Sequence, residues 1–340
     1  MRICFFANLA QHSDRREMLR RVEFYNADLT ILRELGHEVV EATTIGELDR
    51  GADLYFCWWW GPAIVPLILA RLRGKPLIVT GAFDYATCRA ELPGLCFLDR
   101  PRWQRAVIST VLRLADASMF VSEYEFREVT GHLRVAHPWL VPHSVVTQQY
   151  DPSPHEPFVP DFFFAMAWTS RENVVRKGVD TSIEAFAQLA RIIPDVRFVL
   201  AGKPGDGLPA LVQLADRLGV ADRVDFVGMI PIERKLDYFR RCIAYVQPSL
   251  YEGFGVAIAE AASIGCPIVA TGRGAIPEVC GPDAALLGPG DIEGIALAMS
   301  SLVGRQRTHP DEMQRHRWIA KRYDIAIRRK LIAEVIASVL

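Results

Sequence analysis

Residues 242–279, CIAYVQPSLYEGFGVAIAEAASIGCPIVATGRGAIPEV, decide the fold of this chain. An apolar run ends at Pro248, a short glycine-bearing loop follows, an alanine-rich stretch runs from near Gly255 to Gly265, and a second apolar run, PIVATG, comes next. Short apolar runs bounded by Gly and Pro read as strands buried on both faces, and the stretch between them has the length of a helix. Strand, helix and strand in succession make a βαβ unit, whose strands lie parallel in one sheet.

The alternation extends outward. DFFFAMAW, RFVLAGK and VDFVGMI read as strands upstream, separated by the helical stretches VDTSIEAFAQLARII and LPALVQLADRLG, and AALLGPG adds a strand downstream. The first half repeats the pattern with RICFFAN, HEVVEAT, DLYFCWW, PLIVTGAF and ASMFVSE. Its helices NADLTILRELG and PAIVPLILARLRG stop at Gly36 and Gly74, glycine being favoured just past a helix. The chain therefore reads as α/β, with two Rossmann-like doubly wound domains. Between them YDPSPHEPFVPD, residues 150–161, holds four prolines and no apolar periodicity, as a stiff connection does. The expected divisions are 1–152, 153–310, and a helical tail, 311–340, rich in Arg and Lys, that could pack back on the first domain.

Composition narrows the function. Of 340 residues 50% are hydrophobic and 23% charged, with 39 basic against 40 acidic side chains, so no global charge attracts nucleic acid. Seven scattered cysteines, none in a CxxC pair, indicate neither a disulfide framework nor a zinc ribbon, and fit a reducing cytosol. Residues 54–70 carry no charge over 17 positions, but Gly61, Pro62 and Pro66 interrupt them, so a strand, a turn and a packed helix are expected rather than a membrane span. The basic stretches 100–113 and 311–340 leave room for peripheral contact with an acidic membrane surface, although a solvated helix face explains them as well.

The chemistry concentrates in the deciding stretch. A helix that opens at Gly255 presents unpaired backbone N–H groups and a partial positive charge, and the small residues Gly253 and Gly255 on either side of Phe254 let a phosphate approach. Glu260 stands five residues beyond Gly255, about 7.5 Å along the axis, where it suits ribose hydroxyls, while Glu252 precedes the helix on the loop. No Asp-x-Asp, HExxH or clustered His/Cys set occurs, so no metal is expected and a diphosphate must be neutralised by side chains and backbone dipoles.

Glu252, seven residues, Glu260, followed by GRGAIPEV, resembles the donor-site signature of the retaining glycosyltransferases called group 1 or family 4. WTSRENVVRKGVD resembles the family's segment in which an arginine and a following lysine hold the donor diphosphate, and RFVLAGKPG and VDFVGMIP resemble its strand ends. The N-terminal stretch DLYFCWWWGPAIVPLILARLRGKPLIVT is also similar. The resemblance implies GT-B architecture, two domains facing each other across a cleft, and retention of configuration without a metal or other cofactor. It places Arg171 and Lys177 on the diphosphate, Glu252 on the transferred sugar, and Glu260, Gly253, Phe254, Gly255, Val256, Gly228 and Met229 around the donor. Arg176 reads as a routine surface residue. The implied partners are a nucleotide diphosphate sugar and a glycan, lipid-linked or small-molecule acceptor, in the cytoplasm or on the inner face of the membrane.

The first domain departs from the family. Asn8, Leu9 and Ala10 stand where a glycine-rich loop is usual, and GAFDY stands where a histidine often follows the strand, leaving Asp84 as a candidate sugar contact beside its reading as a turn former. An NAD-dependent oxidoreductase is disfavoured because Ile258 replaces the third glycine of GxGxxG. A sugar-nucleotide epimerase of the same fold and a catalytically silent binding protein remain as alternatives.

Overall fold

The structure, a computed structural model, describes residues 1–154 and 156–340; His155, within the proline-rich connection, lies outside the described residues. The chain divides into two compact units, one of Met1–Ser144 and Ile325–Leu340, the other of Val145–Asp324.

The first unit contains β1 (Arg2–Ala7), β2 (Glu38–Ala42), β3 (Leu54–Trp58), β4 (Leu77–Gly81), β5 (Ala117–Phe120) and β6 (Pro138–Leu140). They form one parallel sheet in the order β2-β1-β3-β4-β5-β6. Every residue of β3, β4 and β5 is buried, which is why these strands are unbroken apolar runs rather than alternating ones. Helices Glu23–Glu34, Ile64–Arg73 and Arg102–Leu114 supply crossovers. Pro66 sits in the first turn of its helix, where a missing N–H costs no intrahelical bond. No helix of the described residues is long and apolar enough to cross a membrane.

Helix Ile325–Val339 brings Arg328 into this unit. Its guanidinium forks onto Asp28, Nε to Oδ1 at 2.7 Å and Nη2 to Oδ2 at 2.9 Å, and Nη1 donates to the carbonyls of Val141 and Pro142 at 2.7 and 2.9 Å. Both side chains of the pair are essentially fully buried. Burial, with the nearby Arg328 charge, holds the His143 imidazole well below its usual range.

The second unit contains β7 (Phe162–Met166), β8 (Arg197–Ala201), β9 (Val224–Gly228), β10 (Tyr245–Gln247), β11 (Ile268–Thr271) and β12 (Ala285–Leu287), parallel in the order β12-β11-β10-β7-β8-β9. Strand order reverses between β7 and β10 here, and between β1 and β3 in the first sheet. In open α/β sheets the ligand crevice lies beyond the carboxyl ends of the strands at that point.

The division falls at Ser144/Val145, ahead of the 152/153 expected from the prolines. Val145 bridges to Asp324, and its N–H donates to the Tyr323 carbonyl at 2.8 Å, which ties it to the second unit. The tail is two helices: His309–Tyr323 packs on Val256–Ser263 within the second unit, and Ile325–Val339 belongs to the first.

Candidate donor site at the switch point of the second sheet

Glu252 follows β10 and the helix Arg171–Lys177 follows β7, so the loops at the switch point carry both. The helix is capped by the Ser170 hydroxyl, which accepts from Asn173 N, and ends at Gly178 with φ +63°. A Cβ on Gly178 would lie 2.4 Å from the Pro248 carbonyl oxygen, so only glycine lets this turn press against the end of β10. The Leu250 N–H donates to the Arg176 carbonyl at 2.8 Å, and the Ala275 N–H of GRGAIPEV to the Glu252 carbonyl at 3.2 Å. The contact with Gly178 and these two bonds fix the loop that carries Glu252.

Its carboxylate is thoroughly engaged. Oε1 accepts from Lys177 Nζ at 3.0 Å, Gln247 Nε2 at 2.9 Å and Ser249 Oγ at 3.1 Å, and Oε2 lies 3.4 Å from Arg176 Nη1. Burial acts most strongly and upward on Glu252, yet Lys177, Arg176 and the hydrogen bonds from Lys177 and Ser249 together outweigh it and hold the group at about 2. Burial likewise pulls the Lys177 ammonium below its ordinary value, against the opposing attraction of Glu252. Two cations against one carboxylate leave a positive charge in excess, at the end of the sheet where a polyanion would sit.

Arg176 was no candidate in the sequence, where it stands beside Lys177 as one of two adjacent cations. The structure turns it onto Glu252 and, through Nη1, onto the Tyr251 carbonyl at 3.2 Å. Arg171 is not brought into this cluster. It opens the helix that Lys177 closes, about 9 Å away along the axis. Its side chain is 82% exposed and its Nε lies 3.6 Å from Asp206.

Glu260 lies on helix Val256–Ser263 and is 3% exposed. Its Oε1 accepts from Lys235 Nζ at 2.9 Å and from the Tyr150 hydroxyl at 2.5 Å. Lys235 also stands 5.3 Å from the centre of the Tyr150 ring. Neither partner was picked out in the sequence, because each is remote from Glu260 along the chain. Tyr245 of β10 lies within electrostatic range of both carboxylates: burial raises its phenol far above the ordinary value, and Glu252 and Glu260 push the same way.

The remaining candidates fall as follows. Gly255 caps helix Val256–Ser263 with φ +95°, and Gly253 precedes it in the loop. Phe254 is buried with its ring edge-on against Tyr323. Gly228 ends β9 and Met229 beyond it is 61% exposed. In the first unit Asp84 is buried and engaged in its own turn: Oδ1 accepts from Thr87 N at 2.8 Å, Oδ2 from Cys88 N at 2.9 Å and Cys88 Sγ at 2.7 Å.

The chain is similar in sequence and in fold to known proteins. Residues 164–305 match the family model of glycosyl transferases group 1. A phosphatidylinositol N-acetylglucosaminyltransferase component of Arabidopsis thaliana is 30% identical over 198 residues, 57% of this chain and 43% of that protein. The chain thus spans less than half the length of that relative. The GDP-mannose-dependent alpha-(1-6)-phosphatidylinositol monomannoside mannosyltransferase of Mycolicibacterium smegmatis is 29% identical over 287 residues, 79% of this chain and 72% of that protein. Among solved structures, Anabaena HepE in complex with UDP superposes with a TM-score of 0.77 at 19% identity, covering 99% of this chain and all of that one. Through residues 164–305 the chain is similar to the group 1 glycosyl transferases, and its two Rossmann-like units are those of the GT-B fold.

Proposed function

We propose that the protein is a retaining glycosyltransferase that moves a sugar from a nucleotide diphosphate sugar to an acceptor carrying a sugar or cyclitol ring, with no metal ion. The observation that carries this reading is the pairing of Glu252 with both Lys177 and Arg176. When a diphosphate arrives, Lys177 can pass from the carboxylate to a phosphate oxygen. Glu252, ionised at any physiological pH, then accepts hydrogen bonds from the sugar hydroxyls. Fixed cations stabilise the charge that grows on the departing diphosphate, the task a metal performs elsewhere. The exposed Arg171 can add a second grip, and its planar guanidinium suits two phosphate oxygens. Because Glu252 is held deprotonated, it cannot serve as a general acid. The acceptor attacks from the face the nucleotide leaves, and the leaving phosphate takes the acceptor proton.

The names of both relatives specify a phosphatidylinositol-type acceptor, which supports an acceptor built on a six-membered polyol ring, free or lipid-borne. Seven free, buried thiols support a reducing, cytoplasmic setting, and peripheral contact with a membrane surface would serve a lipid-borne acceptor.

The test is nucleotide release from UDP- and GDP-sugars in EDTA, with and without polyol acceptors, followed by NMR of the product's anomeric centre. Acceptor-dependent release with the donor's configuration kept is expected. An inverted product or a requirement for magnesium would overturn the mechanism, and donor binding with no transfer to any acceptor would reduce the protein to a catalytically silent binder.

A further inference from the structure

Trp59 is the only residue other than glycine with a positive φ, +75°, among the described residues. A bulky side chain in that region is strained and persists only where its surroundings hold it. They do. The Trp59 N–H donates to the Thr80 carbonyl at 2.7 Å, and the indole Nε1 donates to the Tyr25 hydroxyl at 2.7 Å. Phe24 stands edge-on at 5.9 Å and Trp58 lies at 5.5 Å, centre to centre. On another side, a Cβ on Gly81 would meet Trp59 Cε3 at 3.1 Å and Trp59 N at 3.3 Å.

Core packing accounts for the neighbours Trp58 and Trp60, which are 1% and 2% exposed. It does not account for Trp59, which is held in a strained backbone conformation yet stays partly exposed. Its place in the fold supplies a reason. Trp59 is the first residue beyond β3, at the carboxyl edge where the order of the first sheet reverses between β1 and β3. That edge is the ligand-binding position of an open parallel sheet. The negatively polarised face of an indole matches the C–H face of a polyol ring, whose hydroxyls project outward around its rim.

We propose that Trp59 is the stacking surface of a subsite in the first unit that takes a six-membered polyol ring, a pyranose or cyclitol, as the acceptor. The inference rests on the glycosyltransferase reading for its purpose, but the ring contact can be tested by itself. Hydrogen bonding of Nε1 to Tyr25 fixes the plane of the indole before any ligand arrives, so stacking needs little further ordering.

Saturation-transfer NMR with myo-inositol and methyl α-D-glucopyranoside would be run on the wild type, Trp59→Phe and Trp59→Leu, with the thermal shift produced by UDP as a check of fold and donor site. Ring-proton signals are expected with the wild type and Trp59→Phe, and at least a tenfold weaker affinity with Trp59→Leu, the UDP shift being the same in all three. Equal polyol signals from Trp59→Leu and the wild type, or none from the wild type with either polyol, would overturn the subsite and leave the donor reading standing. Polyol binding that depends on Trp59 in a protein that no nucleotide stabilises would support the subsite and remove the donor reading. Should Trp59→Leu not fold, Trp59→Gly, which suits φ +75°, deletes the ring and keeps the backbone: weakened polyol signals support the proposal, and unchanged ones overturn it.

Discussion

Arg176 Nη1 lies 3.4 Å from Glu252 Oε2, on the carboxylate oxygen opposite the one that Lys177 holds at 3.0 Å. The two cations are therefore not alternatives. If the proposed reaction holds, Lys177→Ala takes a positioned charge from the diphosphate and should lower turnover about a hundred- to a thousandfold. Arg176→Ala should lower it about tenfold to a hundredfold, because Arg176 also steadies the loop through the Tyr251 carbonyl. Steady-state kinetics at saturating nucleotide sugar decide the order, and near-normal turnover in Lys177→Ala would remove it from the site.

Glu252 predicts a particular acid dependence of stability. Its group is held at about 2 in the folded chain, against an ordinary value of 4.5, so the unfolded chain takes up the proton first as pH falls. Its contribution, on the order of 3 kcal/mol, is complete above pH 4.5 and disappears as pH drops through about 2. Glu252→Gln should flatten this acid limb in urea-unfolding curves taken from pH 6 to pH 3. An unchanged slope would show that the ion pairs are weaker in solution than their geometry indicates.

The Lys235–Glu260 pair should be costly to break. Replacing Lys235 with Met takes the cation from a carboxylate that is 3% exposed, a change that typically costs about 3–5 kcal/mol. Lys235→Met with Glu260→Gln should recover part of the loss, measurable as Tm. Tyr150→Phe, which removes one hydrogen bond to a charged group, should cost less, about 1.5–3 kcal/mol.

Asp28→Asn leaves the Arg328 guanidinium buried without its counter-charge, and a loss of about 3–5 kcal/mol is expected in denaturant unfolding. Asp28→Leu with Arg328→Met, an apolar replacement of the whole pair, should be markedly more stable than either single change. A double variant no better than the worse single one would show that the hydrogen bonds from Arg328 to the Val141 and Pro142 carbonyls matter more than its charge.

The sheets were legible in the sequence because central strands such as β3, β4, β5 and β11, buried along their whole length, leave unbroken apolar runs and set the rhythm that the part-exposed β2, β9 and β12 continue. Eleven runs became strands, and β6, short and half-exposed with the sequence PWL, left no such trace. The Glu252 loop was legible because its glycines and its carboxylate are close in sequence. Its dependence on Arg176, Gln247 and Ser249 was not, since neighbouring cations look alike in sequence and only side-chain direction separates them. Lys235 and Tyr150 were hidden for another reason: they reach Glu260 from 25 and 110 residues away. Asp84, in the first unit, was read both as a turn former and as a sugar contact, and in the structure its oxygens accept from Thr87 and Cys88.

The Asp28–Arg328 pair joins residues 300 positions apart, and the entire second unit is made between them. At the usual speed of synthesis, about 5–20 residues per second, Asp28 is on the ribosome's product for about 15–60 s before its partner exists. During that interval the first unit must keep a charged group in water that it will later enclose. The second unit, contiguous from Val145 to Asp324, needs no such wait, so the later-made half of the chain can finish folding before the earlier-made half is closed.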